Sequence, residues 1–129
     1  MGTGEADVRA QNSFGNGVYK SVDAGKTWTH VGLDPTRQIG RILVDPRDPK
    51  VMFVAALGSI YAANPDRGVF RSRDGGATWQ KVLFKSDDIG AIDLAFDPAN
   101  PQTIYASLWN TQRPPWSVYP PSTGPGSGL

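Results

Sequence analysis

The sequence carries 12 Asp and Glu residues and one histidine, and these bound its acid–base chemistry. A hydrolytic pair of carboxyls must stand about 5–10 Å apart, one of them with a raised pKa. Glu5, Asp66, Asp87 and Asp88 are the plausible acids for such a pair, in irregular segments where it would be exposed to substrate. Their spacing selects no pair, so the catalytic residues stay unassigned. Arg9, Arg37, Arg67 and Arg113 lie in the same kind of segment without forming a motif. His30 is the lone histidine and reads as a surface strand residue. With no cysteine there is no thiolate, no disulfide and no basis for a zinc site. No metal and no other cofactor is expected. Gly124-Pro-Gly-Ser-Gly128 lacks the Lys-Ser/Thr of a phosphate-binding loop and reads as a flexible loop.

The strongest pattern is a repeat. Ser21-Val-Asp23-Ala-Gly25-Lys-Thr27-Trp28 returns as Ser72-Arg-Asp74-Gly-Gly76-Ala-Thr78-Trp79, 51 residues on. Ile39-Gly40 and Asp45-Pro46 recur as Ile89-Gly90 and Asp97-Pro98. Three recurring motifs at nearly one offset define a period of about 51 residues. The residue types explain a tight turn without catalysis. An Asp accepts N–H bonds inside its own turn, Gly supplies positive φ, and Ser and Thr hydroxyls satisfy what remains. Trp28 and Trp79 are each expected to bury a ring beneath the hairpin and anchor it. A calcium loop needs more carboxylates and a closing Glu, which neither copy has.

The elements that position these turns follow from apolar runs. Ile39–Val44 and Ala91–Phe96 predict first strands, and Val51–Ala56 and Thr103–Ser107 second strands after an Asp-Pro-x-x-Pro turn. Val18–Ser21 and Val69–Ser72 predict third strands; Trp28–Val31 and Trp79–Leu83 predict fourth strands. No segment shows sustained helical periodicity. Four short strands per period mark a β-propeller blade. The predicted fold class is all-β: a partial β-propeller of four-stranded antiparallel blades, with about two blades present.

Composition agrees. The 129 residues include 15 Gly and 11 Pro, and 10% are aromatic. The net charge of +1 leaves no basic excess for a phosphate backbone, so nucleic acid is not an expected partner. No apolar run approaches the ~20 residues of a membrane span, and Met1 to Ala10 lacks the order of a secretory signal.

The Ser-x-Asp-x-Gly-x-Thr-Trp pattern resembles the Asp-box, or BNR repeat. The resemblance implies the propeller group that includes sialidases, xyloglucanase-type glycoside hydrolases, sortilin-type receptors and photosystem assembly factors. It is most like the bacterial glycosyl hydrolase-like and sortilin-like repeat proteins. It also implies a secreted or periplasmic parent, and a box turn on the face opposite the ligand loops. On this reading residues 1–34 end one blade, 35–86 form a complete blade, and 87–129 start a third. The chain would then be a fragment, ending at Gly128-Leu129 as a third strand begins. Its uncovered blade faces would meet the remaining blades of a propeller or a second copy.

The ligand-facing loops would be 4–16, 58–67 and 110–127, with Arg37, Gln38, Lys85, Asp87 and Asp88 between blades. Tyr61, Arg67, Trp109, Arg113 and Trp116 are the candidate ligand contacts, since Trp, Tyr and Arg suit sugar stacking or peptide recognition. The leading expectation is a binding module for a carbohydrate or a protein or peptide ligand, sortilin-like. The alternative is part of a carbohydrate-active glycoside hydrolase whose active site is completed elsewhere. Enzyme or binder stays open, and the isolated chain is expected to be inactive.

Overall fold

The computed structural model describes residues 1–8, 12–113 and 125–129. Among them regular structure is strand, apart from a 3-10 turn at Asp34–Thr36. The strands are β1 (Tyr19–Lys20), β2 (Thr29–His30), β3 (Ile39–Asp45), β4 (Asp48–Ala56), β5 (Gly68–Ser72), β6 (Gln80–Leu83), β7 (Ile89–Phe96) and β8 (Ile104–Asn110). They form three antiparallel sheets ordered β1-β2, β3-β4-β5-β6 and β7-β8. The fold is all-β, and each strand pairs only with its sequence neighbours.

Neighbouring sheets are packed face to face. Successive side chains on a strand point to opposite faces, and β4 shows why its sequence is apolar without alternation. Val54 and Ala56 join Val18, Ile39 and Phe70 in one buried cluster toward the first sheet. Ala55 joins Val69, Ala91 and Leu94 in a second cluster toward the last sheet. Both faces of the central sheet are therefore core. The recurring Ile-Gly pairs mark where sheets approach most closely. A Cβ on Gly40 would stand 2.1 Å from the Ile92 carbonyl oxygen, and one on Gly90 would stand 2.5 Å from that of Leu57.

Two strand expectations are corrected. The first Asp-Pro turn is tighter than predicted: Asp45 pairs with Asp48, so β4 starts before Val51 and includes Pro49. Proline is tolerated there because the β4–β5 ladder begins only at Met52, leaving no bond for its missing N–H to break. Asp45 closes the turn by accepting from the Arg47 backbone at 2.9 Å and from its guanidinium at 2.9 and 2.7 Å. The second correction is β8, which runs past the expected end at Ser107 to Asn110 and so makes Trp109 a strand residue.

Gly17, Gly68 and Gly128 take positive φ of 88°, 113° and 149°. Gly68 pairs with Ala56 at the start of β5, and Gly128 bridges Leu108 beside β8 in the same way. At the other end of the chain Gly2 bridges Val18.

Candidate functional site: two box turns and the opposite loop end

The two box turns repeat one another bond for bond. In the first, Ser21 Oγ donates to Asp23 Oδ1 at 2.8 Å and accepts from the Gly25 N–H at 2.7 Å. Thr27 donates to Asp23 through its N–H at 2.8 Å and its hydroxyl at 2.6 Å. In the second, Ser72 Oγ bonds Asp74 Oδ1 and the Gly76 N–H, each at 2.8 Å. Thr78 donates to Asp74 at 2.9 Å from its N–H and 2.6 Å from its hydroxyl. The threonine hydroxyl bond is the largest cause holding each Asp at a pKa of about 2, followed by the threonine N–H and the serine hydroxyl. Such carboxylates stay ionised at neutral pH, with both oxygens occupied inside the turn. They are anchors, unsuited to proton donation. Among the described residues no group of three or more His, Cys, Asp or Glu is placed to hold a metal ion.

The two tryptophans differ, and this corrects the expectation that both rings are buried. Trp79 is half-buried against the first core cluster, and its indole N–H donates to the Val31 carbonyl of the preceding hairpin at 2.6 Å. Trp28 is 47% exposed, and its N–H reaches only the Gly25 carbonyl of its own turn at 3.1 Å. Trp79 packs onto the sheet before its own, whereas Trp28 lines an open groove with Ile42, Val44 and Met52 of the central sheet.

The antiparallel meander puts the 58–67 loop at the end of the central sheet opposite the box. That loop adjoins three others. Asn64 N–H donates to the Asp87 carbonyl at 3.0 Å, and Arg113 N–H to the Ile60 carbonyl at 2.6 Å. The Tyr61 ring meets Phe14 edge-on, with centroids 5.4 Å apart. The Arg37 guanidinium in turn lies 5.4 Å over the Phe14 ring. Phe14 is 53% exposed, Arg37 is exposed and Tyr61 is half-buried. This aromatic–cation row is an open polar–apolar surface at the loop end. Phe14 carries no pattern of its own in the sequence; an aromatic between Asn12-Ser13 and Gly15 in a polar loop is the only signal.

Several predicted contacts occupy other roles. Arg67 is fully buried, and its guanidinium donates to the carbonyls of Ser59 at 2.8 Å and of Asp88 and Thr111 at 2.9 Å. It ties three loops together, so it is not a free ligand contact as expected. Burial pulls its pKa down, and the charges of Asp88 and Asp87 oppose that. These two acids thus act as countercharges to a buried cation. Asp88 also accepts from the Gln112 side-chain amide. Glu5 caps its own loop by accepting from the Ser13 N–H at 3.1 Å. Asp66 is half-buried at the end of the 58–67 loop. Trp109 is half-buried within β8, opposite Gly90. Arg113 is buried at 6% exposure. Trp116 lies outside the described residues, as does Arg9. The structure thus gathers Tyr61, Asp66, Arg67, Asp87, Asp88 and Arg113 around one loop end, with Glu5 in the adjoining loop, bonded to Ser13 next to Phe14.

No protein-family model matches the chain. A xyloglucanase from Paenibacillus sp is 27% identical over 122 residues, covering 86% of this chain and 10% of that protein. The chain therefore spans about one tenth of the relative's length.

Proposed function

We propose that this chain is a run of Asp-box β-propeller blades from a carbohydrate-active protein, with the loop end around Phe14, Arg37 and Tyr61 facing a polysaccharide of the xyloglucan class. Residues 1–34, 35–86 and 87–129 are its successive blade units. The observation that carries the reading is the pair of box turns with one bonding scheme. Both stand between third and fourth strands 51 residues apart, in a chain similar to a xyloglucanase along 86% of its length. That similarity favours the hydrolase alternative over a sortilin-like receptor module.

The chemistry divides between the two ends. Box turns hold hairpins; the loop end offers an exposed ring edge and a guanidinium, which suit the apolar faces and hydroxyls of a sugar chain. Asp87 and Asp88 are countercharges to the buried Arg67 and Glu5 caps its own loop, so on this reading hydrolysis is completed by acids in other blades. Electrophoresis in gels containing xyloglucan tests the proposal. Retarded migration is expected, and Arg37→Ala or Tyr61→Ala should relieve it. Migration equal to that in a polysaccharide-free gel would refute a glycan surface here.

A further inference from the structure

The link between the first two sheets holds a strained backbone beneath an exposed cation. Arg37 sits at φ 57° and ψ −53°, and the Gln38 N–H donates across it to the Thr36 carbonyl at 2.5 Å. This is the rare, strained form of the γ-turn, which a residue with a side chain adopts only where its surroundings hold it. Here they do. Thr36 and Gln38 are 1% and 0% exposed on either side of the exposed Arg37. The Thr36 hydroxyl donates to the Leu33 carbonyl at 2.7 Å, and the Gln38 carbonyl accepts from the Leu57 N–H at 2.9 Å. The Arg37 carbonyl accepts from the Gly15 N–H at 2.7 Å, and a Cβ on Gly4 would stand 1.9 Å from that oxygen.

Joining two sheets does not demand this strain. Ile39 and Ile89 are equivalent in the repeat, so Asp87 takes the place of Arg37 at the next link. Asp87 keeps a negative φ, and that link closes as an ordinary turn, the Ile89 N–H donating to the Ser86 carbonyl at 3.2 Å. What sets the first link apart is its side chain. The Arg37 guanidinium lies 5.4 Å over the Phe14 ring, on the loop whose Gly15 N–H holds the Arg37 carbonyl. The Tyr61 ring meets the same phenyl ring edge-on. Among the described residues no acid or carbonyl takes up the guanidinium N–H groups.

We infer, resting on the glycan reading above, that the strained turn serves to aim this guanidinium and that Arg37 is the residue that grips the sugar chain. Phe14 offers an apolar face to one sugar ring. The planar guanidinium offers two parallel N–H groups to a pair of neighbouring hydroxyl oxygens on the same chain. Held by its backbone and by the ring beneath it, this fork loses little conformational freedom when the sugar arrives. Strain in the free protein is thus exchanged for a donor pair already in place.

Thermal melting and electrophoresis in xyloglucan gels, on one set of variants of the 129-residue chain, test the inference. Glycine relaxes the turn and alanine does not, so Arg37→Gly should melt about 3–5 °C above Arg37→Ala. Both should bind about tenfold or more weakly than the wild type, as loss of a central anchor does. Arg37→Lys keeps the charge and the turn but not the fork, and should recover only part of the retardation. Ala24→Gly relaxes a residue at φ 58° in the first box turn, where the second box already has Gly75, and should leave retardation unchanged. Arg37→Gly melting no higher than Arg37→Ala, or Arg37→Lys retarded like the wild type, would overturn the inference. So would retardation abolished by Tyr61→Ala and kept by Arg37→Gly, a result that leaves the glycan surface itself standing. A wild-type chain that migrates freely refutes the glycan reading and this inference together.

Discussion

Replacing Trp79 by alanine removes a ring that links the first two sheets by both packing and a hydrogen bond. The indole lies against Val31 and the cluster of Val18, Ile39, Val54, Ala56 and Phe70. Truncating a fully buried Trp costs about 3–5 kcal/mol; the half-buried position lowers the packing part to about 2–3 kcal/mol. Loss of the N–H donor to the Val31 carbonyl adds about 1 kcal/mol. The sum is about 3–4 kcal/mol, or a Tm lowered by roughly 10 °C or more for a chain of this size. Trp79→Phe keeps most of the ring and loses the donor, so about 1–2 kcal/mol is expected. Trp28→Ala removes a ring that is 47% exposed and bonded within its own turn, so its loss stays under about 1 kcal/mol. Urea unfolding followed by circular dichroism at low protein concentration measures all three. Equal losses at Trp28 and Trp79 would refute the assignment of the indole to the inter-sheet contact.

Asp23 and Asp74 have folded pKa values of about 2 against a reference of 3.8. Their stabilisation is complete above about pH 4 and is lost as pH falls through about 2. The Asp23→Asn/Asp74→Asn variant should flatten the acid limb of the stability curve in that window, leaving the share from Asp45, which is also held near 2; an unchanged limb would contradict it. Arg67→Met strands three carbonyls that now accept from one guanidinium and should cost about 3 kcal/mol or more by thermal melting. Arg67→Lys should recover only part, since an ammonium cannot reproduce the planar fork. Gly68→Ala would put a Cβ 2.1 Å from the Leu83 carbonyl oxygen at φ 113°, and loss of the cooperative melt is expected. Gly128→Ala meets nothing within 4 Å and should be far milder by the same melt.

The repeat and the box turns were readable in the sequence because their causes are local. Ser21, Asp23, Gly25 and Thr27 satisfy one another within seven residues, and the same residue types 51 positions on close the same bonds. The apolar run Val51–Ala56 likewise announces a strand, and its lack of alternation already implies two covered faces. Residue type failed as a guide where a distant backbone decides the role. Arg67 reads as a ligand contact, yet the carbonyls of Ser59, Asp88 and Thr111 converge on it from three loops. Phe14, unremarked in sequence, becomes part of a surface only because Arg37 and Tyr61 arrive beside it.

Sequence alone thus determined the all-β strand content and the internal bonding of each box turn. Both arise from neighbours along the chain or from period-two burial. Tertiary structure decided which of two identical tryptophans is an anchor. Trp79 finds the Val31 carbonyl of a preceding hairpin, and Trp28 has no such partner among the described residues. A side chain's role at a sheet interface depends on which backbone lies across from it, and no local pattern encodes that.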